Sequence, residues 1–452
     1  MHQNAKMAMK FAKATIVLIC FVSAAYCNAQ QFATFAPVSV GVSPPKQAPL
    51  SASYVPALPA YATQSGSKQH AYNEAMADVR EANGGSNAAM DENHYYKSSA
   101  FTSLTQAYNA AFNDIKAMLD GKETLSVKRA YYELEAAYGN TYLSYKDFND
   151  KIDESASFIK QWMAQHKLNT QNNEELNYAI QRFMGDTLTI INKKPDSQEP
   201  PVKVTHLPFK YDYTDFKGEQ DYRNYFVTKC MATGYGQCNS MPIVYLCLAE
   251  ALGAKAYLSF APHHSLIKYA DAKGYLHNYE PTSNYHITDR WYQDNLYIKA
   301  EAMKSGIYLH ALNKKQIIAN CMIDLAVGYM NKYGVADGQF MNDCLQTAKA
   351  AFGNSPDIYN NLTYSSLMAG LLEKTLRNDR AKGLEDTINN PQARYYFNEL
   401  KKNEAHITAL GYQEIPAQAY AQMMQSDSAK GRVQQANTIS TKQNRNLFIT
   451  TK

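Results

Sequence analysis

The sequence lacks a strong net charge of either sign. Its 45 lysines and arginines nearly balance 41 aspartates and glutamates, which leaves +4 over 452 residues. Lys6, Lys10 and Lys13 lie in an N-terminal segment that we expect to be removed, so the mature charge is about +1. A chain this close to neutral has no overall field that attracts nucleic acid or anionic lipid. We therefore expect no nucleic acid among its partners.

The sequence also has only one long apolar run, residues 14–26 (ATIVLICFVSAAY). It follows basic residues without acids, and it is shorter than the roughly 20 residues of a transmembrane helix. A signal peptide cleaved after Ala29 fits this pattern. Cys27 would suit a lipoprotein, but Tyr26 stands where a lipid-attachment signal needs a small residue. We therefore expect an exported protein, periplasmic or secreted, without an integral membrane span.

Cysteine is scarce for an exported chain. Two of the seven cysteines lie in the signal peptide, and the mature chain keeps Cys230, Cys238, Cys247, Cys321 and Cys344. An odd number leaves at least one thiol outside any disulfide within the chain. Because an oxidising compartment consumes idle exposed thiols, that thiol should be either buried or functional. Which of the five pair with one another stays open, and Cys230 with Cys238 is one alternative.

The composition divides the chain into six segments. They are a signal peptide (1–29), a disordered linker rich in Ala, Pro, Ser and Gln (30–70), an N-terminal helical region (71–195), a mixed segment that carries the candidate chemistry (196–293), a C-terminal helical region (294–426) and a polar, frayed tail (427–452). The fold class is therefore predicted as α+β. The C-terminal region resembles stacked, TPR-like helical hairpins, although its spacing is too irregular to define a repeat.

Apolar periodicity predicts the individual helices. One face runs from Phe101 to Leu119 and ends at Asp120-Gly121. Further helices are predicted over residues 127–138, 145–166, 174–188, 319–333, 338–352 and 355–375, with helical structure resuming at Asp294. Residues 194–222 are predicted to form a long connection over the surface.

The stretch YGQCNSMP, residues 235–242, raises the question of function. Ser240 is a suitable N-cap, Pro242 suits a first turn, and the run that follows, IVYLCLAEAL, is apolar on nearly every side. Cys238 is therefore predicted just before the N-terminus of a buried helix that ends at Gly253. The helix dipole there favours a thiolate, and the free N–H groups there favour an oxyanion. Cys247 lies inside the same helix, where a cysteine is simply a small apolar residue.

Three strands are predicted after this helix, over residues 254–260, 264–269 and 275–280. If Tyr269 faces Tyr275 across the last hairpin, His264 faces Glu280, and paired residues lie about 4.5–5.5 Å apart at Cβ. His277 then lies on the other face. A slip of one residue would instead bring Glu280 opposite His263 or Ser265.

These residues form a Cys-His-Glu constellation. Cys238 would be the nucleophile, His264 the base that takes its proton, and Glu280 the carboxylate that orients the imidazole. Gln237 and Asn239 are auxiliary candidates for holding the oxyanion. His263 stays open as an alternative to His264.

The order of these motifs resembles the transglutaminase-like superfamily, and more closely its exported bacterial members with helical flanks. Tyr-Gly-Gln-Cys at 235–238 resembles the sequence around their nucleophile, and Glu-Pro-Thr at 280–282 resembles their Asp-Pro-Thr. Asn239 replaces a tryptophan, and Glu280 replaces an aspartate. The resemblance implies a papain-like core, a helix packed on a small antiparallel sheet, and a cysteine hydrolase or acyltransferase acting on a peptide or protein amide.

Two other functions compete with this one. The core could be a catalytically silent scaffold whose C-terminal helices bind a peptide or cell-envelope partner. A metal site from Cys238, His263, His264 and His277 is disfavoured, because the hairpin divides the histidines between faces and no Cys-x-x-Cys spacing occurs. We expect no metal and no other cofactor.

Overall fold

The computed structural model describes residues 99–192, 201–336, 338–379, 387 and 389–447. The predicted signal peptide and linker lie outside these residues. Within them the fold is mixed α+β, with small sheets surrounded by helices. Among the described residues, no helix combines the length and apolarity that crossing a bilayer needs.

Within residues 99–192, four helices precede the first strand. They are α1 (Ser99–Leu119), α2 (Val127–Tyr138), α3 (Tyr145–Gln165) and α4 (Asn173–Gly185). The bounds of α2 match the prediction because its caps are local: the Ser126 side chain accepts from the Arg129 N–H, and Gly139 ends the helix at φ 107°. The prediction for α4 was wrong at its end. The helix stops at Gly185, and β-branched residues that follow it form a strand instead.

The sheets are short. β1 (Leu188–Asn192) pairs with β2 (Val202–His206) in an antiparallel ribbon, and β3 (Lys210–Tyr211) pairs in parallel with β4 (Tyr235–Gly236). β5 (Ala256–Ala261), β6 (His264–Ala270) and β7 (Leu276–Tyr279) form an antiparallel sheet in the order β5-β6-β7. The predicted long connection over 194–222 therefore contains two strands that the sequence interpretation missed.

The central helix is α6 (Ser240–Leu252), which follows a 3-10 turn (Tyr222–Tyr225) and α5 (Val227–Thr233). Nearly all of its residues are buried, and Gly253 ends it at φ 76°, as predicted. The predicted cap was wrong by one residue, since Asn239 is the N-cap and Ser240 lies inside the helix. Burying each large aliphatic side chain of such a helix stabilises the fold by about 1.5–3 kcal/mol.

The C-terminal helices are α7 (Asp289–Asn295), α8 (Ala300–Ser305), α9 (Lys314–Tyr333), α10 (Gln339–Phe352), α11 (Ile358–Asn378), α12 (Pro391–Ala409) and α13 (Ala417–Leu447). Helical structure resumes at Asp289, five residues earlier than predicted. The prediction of a frayed tail from Asp427 was wrong, because α13 continues to Leu447. Gln434 ties α13 to the body: its side chain accepts from the Tyr213 N–H (2.7 Å) and donates to the Tyr211 carbonyl (3.0 Å).

Two carboxylates, the buried Glu135 and the partly buried Glu250, join the helices to one another. Glu135 on α2 accepts from the Thr228 N–H (3.0 Å) at the start of α5. Glu250 on α6 accepts from the Val127 and Lys128 N–H groups (2.9 and 3.3 Å) at the start of α2. Each carboxylate thus satisfies helix N–H groups that have no partner inside their own helix. Burial raises the pKa of Glu135 to about 7.

Candidate active site

Cys238 occupies the position just before α6, in a segment that is tightly packed. Its side chain is fully buried. Gly236, two residues earlier, is required there because a Cβ would lie 2.6 Å from the Cys230 sulfur. The Ser265 hydroxyl donates to the carbonyl of Cys238, which fixes the cysteine backbone to β6 beside His264.

The five cysteines among the described residues are all buried and form no disulfide there. The alternative of a Cys230–Cys238 disulfide was therefore wrong. Burial raises the pKa of Cys230 to about 12 and raises the pKa of Cys247, Cys321 and Cys344 well above the ordinary value. Those four thiols are kept protonated by their surroundings, as expected of structural cysteines.

His264 lies at the start of β6, directly after a tight turn. Pro262 and His263 make that turn, with His263 at φ 56°. Proline followed by a residue of positive φ is the combination that type II turns use. The His263 ring lies 5.8 Å from the ring of Tyr420 on α13. The structure thus places His263 in the turn and His264 at the site.

Glu280 contacts His264 closely, and both side chains are fully buried. The His264 Nε2 lies 2.8 Å from Oε1 and 2.7 Å from Oε2 of Glu280. Cys238 also interacts with His264, and this interaction raises the pKa of the imidazole. The structure therefore brings together the three residues that the sequence singled out.

The predicted strand register was nevertheless wrong. Tyr269 pairs with His277 rather than Tyr275, so the ladder is shifted by two residues. The Asp271 side chain explains the shift: it accepts from the N–H groups of Lys273 and Tyr275 (both 2.9 Å) and so lengthens the loop. A shift of two keeps every side chain on its predicted face. His264 and Glu280 therefore meet as diagonal neighbours rather than as a directly opposed pair.

Helix α7 holds the carboxylate in place. The Tyr292 hydroxyl donates to Oε1 of Glu280, and the Thr282 hydroxyl donates to Oε2 (3.3 Å). Asp289 lies one turn before Tyr292 and on the same face of α7, since residues three apart share a helix face. It accepts a hydrogen bond from Lys268 on β6 (2.8 Å), which fastens that face of the helix to the sheet. Sequence reasoning missed Tyr292. A buried tyrosine needs a polar partner, but no local pattern points to Glu280 as that partner.

Two effects of opposite sign act on the pKa of His264. Burial alone lowers the pKa of His264, whereas the charge of Glu280 and hydrogen bonds to Cys238 and Glu280 raise it, and the pKa reaches about 10. The imidazole is therefore protonated at neutral pH. A cationic imidazole beside a cysteine at a helix N-terminus favours the thiolate.

A small cavity adjoins His264, with room for about one water molecule. Its polar lining comes from Asn239, His264, Ser265, Asn320, Tyr131 and Tyr359, and its apolar lining from Ile243, Leu258 and Phe260. Of the two auxiliary candidates, Asn239 faces this cavity and its side chain does not cap α6. The Gln237 side chain donates to the Asp215 carbonyl (3.4 Å).

No metal centre is found here: the described residues contain no group of three or more His, Cys, Asp or Glu placed to hold a metal ion. His277 lies away from the site and contacts Asp271 (3.0 Å).

Compared with known proteins, the chain matches no family model, no curated sequence and no solved structure.

Proposed function

We propose that this protein is an exported cysteine acyl-transfer enzyme of the transglutaminase-like type, which cleaves an amide or peptide bond by hydrolysis. The buried pairing of His264 with Glu280 carries the proposal, together with the interaction of the same imidazole with Cys238 at the start of a buried helix. Cys238 is the nucleophile, His264 the proton carrier and Glu280 the residue that orients the imidazole.

The chemistry follows from the protonation state of the pair. The Cys238 thiolate attacks the amide carbonyl and forms a tetrahedral intermediate. The protonated His264 then gives its proton to the leaving amine, and the C–N bond breaks. The resulting thioester passes its acyl group to water, while the neutral imidazole takes a proton from that water.

The surrounding fold supports the proposal in a general way. Helix α6 packs on the antiparallel sheet β5-β6-β7, as in the papain-like core that the sequence resemblance implies. The packing of neighbouring helices, α9 against α10 and α11 against α12, agrees with TPR-like hairpins that would hold a peptide partner. The N-terminal sequence supports export, so the substrates would be peptides or proteins outside the cytoplasm.

The burial of the site favours a second candidate function, a catalytically silent scaffold. Cys238 is fully buried, and Tyr359 of α11 lines the cavity, with its hydroxyl donating to the Ala261 carbonyl (3.0 Å). An enzyme of this form must open to admit a substrate, whereas a scaffold never needs to open.

Alkylation of the mature protein by iodoacetamide over a range of pH separates the two functions. Peptide mapping by mass spectrometry reports Cys238 and Cys247 in the same sample, so Cys247 is the internal control. The enzyme proposal expects Cys238 to react well below pH 8, while Cys247 stays unlabelled until the protein unfolds.

An acyl-enzyme trapped from a peptide library, with Cys238→Ala as its control, is the second measurement. If Cys238 reacts only with the pH dependence of an ordinary thiol, with a pKa of about 8.5, and no acyl-enzyme forms, the scaffold is the better description.

A further inference from the structure

The cavity beside His264 contains a buried polar atom that the triad does not use. Asn320 lies on α9, its side chain is almost fully buried, and it lines the cavity. Its Oδ1 accepts no hydrogen bond from the described residues. An unpaired buried acceptor costs about 1–3 kcal/mol, and a donor bound in the cavity would relieve that cost.

The neighbours of Asn320 fix which way its amide points. Its Nδ2 donates to Oδ2 of Asp324 (3.1 Å) and to the hydroxyl of Tyr131 (3.4 Å), and Tyr131 donates to the same Asp324 oxygen (3.3 Å). A carboxylate accepts only, so the amide cannot turn its oxygen toward Asp324. Oδ1 is therefore held as an acceptor on the side away from Asp324.

The size of the cavity then limits what the acceptor can bind. There is room for about one water molecule, and a buried water needs two to four polar partners. In so small a space, every lining group is near the single occupant. His264, Asn239 and Asn320 are among those groups, so a water bound there lies near the imidazole and the nucleophile segment together.

We propose that this cavity holds the water that hydrolyses the acyl-enzyme, and that Asn320 binds this water through Oδ1. The inference rests on the proposed function and deepens it: the acyl acceptor is water, and amines as large as lysine are excluded. In this step the water donates one hydrogen to Asn320 and the other to Nδ1 of His264, and its oxygen attacks the thioester carbonyl carbon. His264 takes the proton, the C–S bond of the tetrahedral intermediate breaks, and the Cys238 thiolate leaves beside the protonated imidazole. The products are a carboxylic acid and the regenerated thiolate–imidazolium pair.

Acetylation by p-nitrophenyl acetate tests the proposal on the mature protein. The burst of p-nitrophenolate measures acylation, the steady state measures deacylation, and intact mass reports acetyl-Cys238. Asn320→Leu should keep the burst and slow deacylation by about 10- to 100-fold, because it removes a hydrogen bond that positions the water, and tenfold corresponds to about 1.4 kcal/mol. Acetyl-Cys238 should then accumulate.

Asn360→Leu is the matched control. Asn360 is also buried, its Oδ1 also lacks a partner among the described residues, and its Nδ2 donates to the Leu345 carbonyl (3.1 Å). It does not belong to the cavity lining. This variant should lose similar stability and deacylate at the wild-type rate.

Acceptor competition in the wild-type protein tests the same proposal if Asn320→Leu does not fold. Hydroxylamine and N-acetyl-lysine methyl ester are added separately to the acetyl-enzyme. The rate at which each amine removes the acetyl group from Cys238 is divided by the rate at which the same amine reacts with a free acetyl thioester. The lysine derivative should be disfavoured by at least about tenfold, a difference of about 1.4 kcal/mol.

The outcomes separate this inference from the proposed function. Wild-type protein that forms no acetyl-Cys238 overturns both. An acetyl-enzyme that Asn320→Leu hydrolyses at the wild-type rate, or that the lysine derivative intercepts as readily as hydroxylamine, overturns the water site alone.

Discussion

Cys238 and Cys247 belong to the same segment, one just before α6 and the other in its middle, and both are buried. Cys247 is surrounded by core residues, and burial raises its pKa well above the ordinary value. Cys238 instead interacts with an imidazole whose pKa is raised and which is itself held by a carboxylate. Burial is therefore common to both thiols, and the charged partners are what distinguish a nucleophile from a structural cysteine.

The largest effect is expected from removing the charge that creates this difference. In Glu280→Gln, the hydrogen-bonding geometry is nearly kept while the carboxylate charge is lost. Acylation by p-nitrophenyl acetate should fall by about 10³- to 10⁴-fold, as when the carboxylate of a Ser-His-Asp triad becomes an amide. Glu250→Gln is the matched control, because Glu250 caps α2 away from the site; it should cost stability and leave the rate unchanged.

The pH dependence sharpens the same prediction. In the wild type the pKa of His264 is about 10, raised above its unfolded value of about 6.5. The folded state therefore keeps a proton that the unfolded state loses. This contribution to stability is complete below pH 6.5 and is lost as the pH rises toward 10. The melting temperature of Glu280→Gln should not decline over that pH range. The pH above which the activity of this variant falls, the alkaline limb of its pH profile, should move below 7. An unchanged limb near pH 10 would contradict the role given to Glu280.

A smaller effect is expected from opening the site. Tyr359→Ala removes a large side chain that lines the cavity, so alkylation of Cys238 should accelerate by about tenfold, which corresponds to about 1.4 kcal/mol. Tyr359→Phe keeps the ring and loses the hydroxyl, with its hydrogen bond to the Ala261 carbonyl, and it should react like the wild type. Tyr308→Ala removes another buried tyrosine of the same apolar cluster and controls for general loosening. Equal acceleration in Tyr308→Ala would mean that α11 is not the specific cover.

The smallest effect is expected at the structural thiol. Cys247→Ala leaves a small cavity in the core, which should lower the free energy of unfolding by about 1 kcal/mol, the usual size for a small core truncation. The acylation rate should not change. Denaturant unfolding and the p-nitrophenyl acetate assay on one preparation measure both quantities. A large loss of activity at normal stability would break the distinction between the two cysteines.

The helices and the candidate triad followed from the sequence where the signals were local. Ser126 and Gly139 delimit α2, and the apolar run after Pro242 marks α6 as buried. The strand register did not follow, because the Asp271 side chain lengthens the hairpin loop by contacts that no alternation of apolar residues encodes. His264 and Glu280 were still found together, since an error of two residues does not exchange the faces of a strand.

The sequence by itself determined the order of the chemistry: a cysteine before a buried helix, a histidine opening a strand, and a glutamate closing the next one. Only the tertiary structure decided how that chemistry is enclosed. The site is also lined or contacted by Tyr292, Asn320 and Tyr359, which lie on three different helices. These residues are between 12 and 79 positions beyond Glu280 in the chain. Their contacts depend on how those helices pack against the sheet, and spacing along the chain carries no record of such packing.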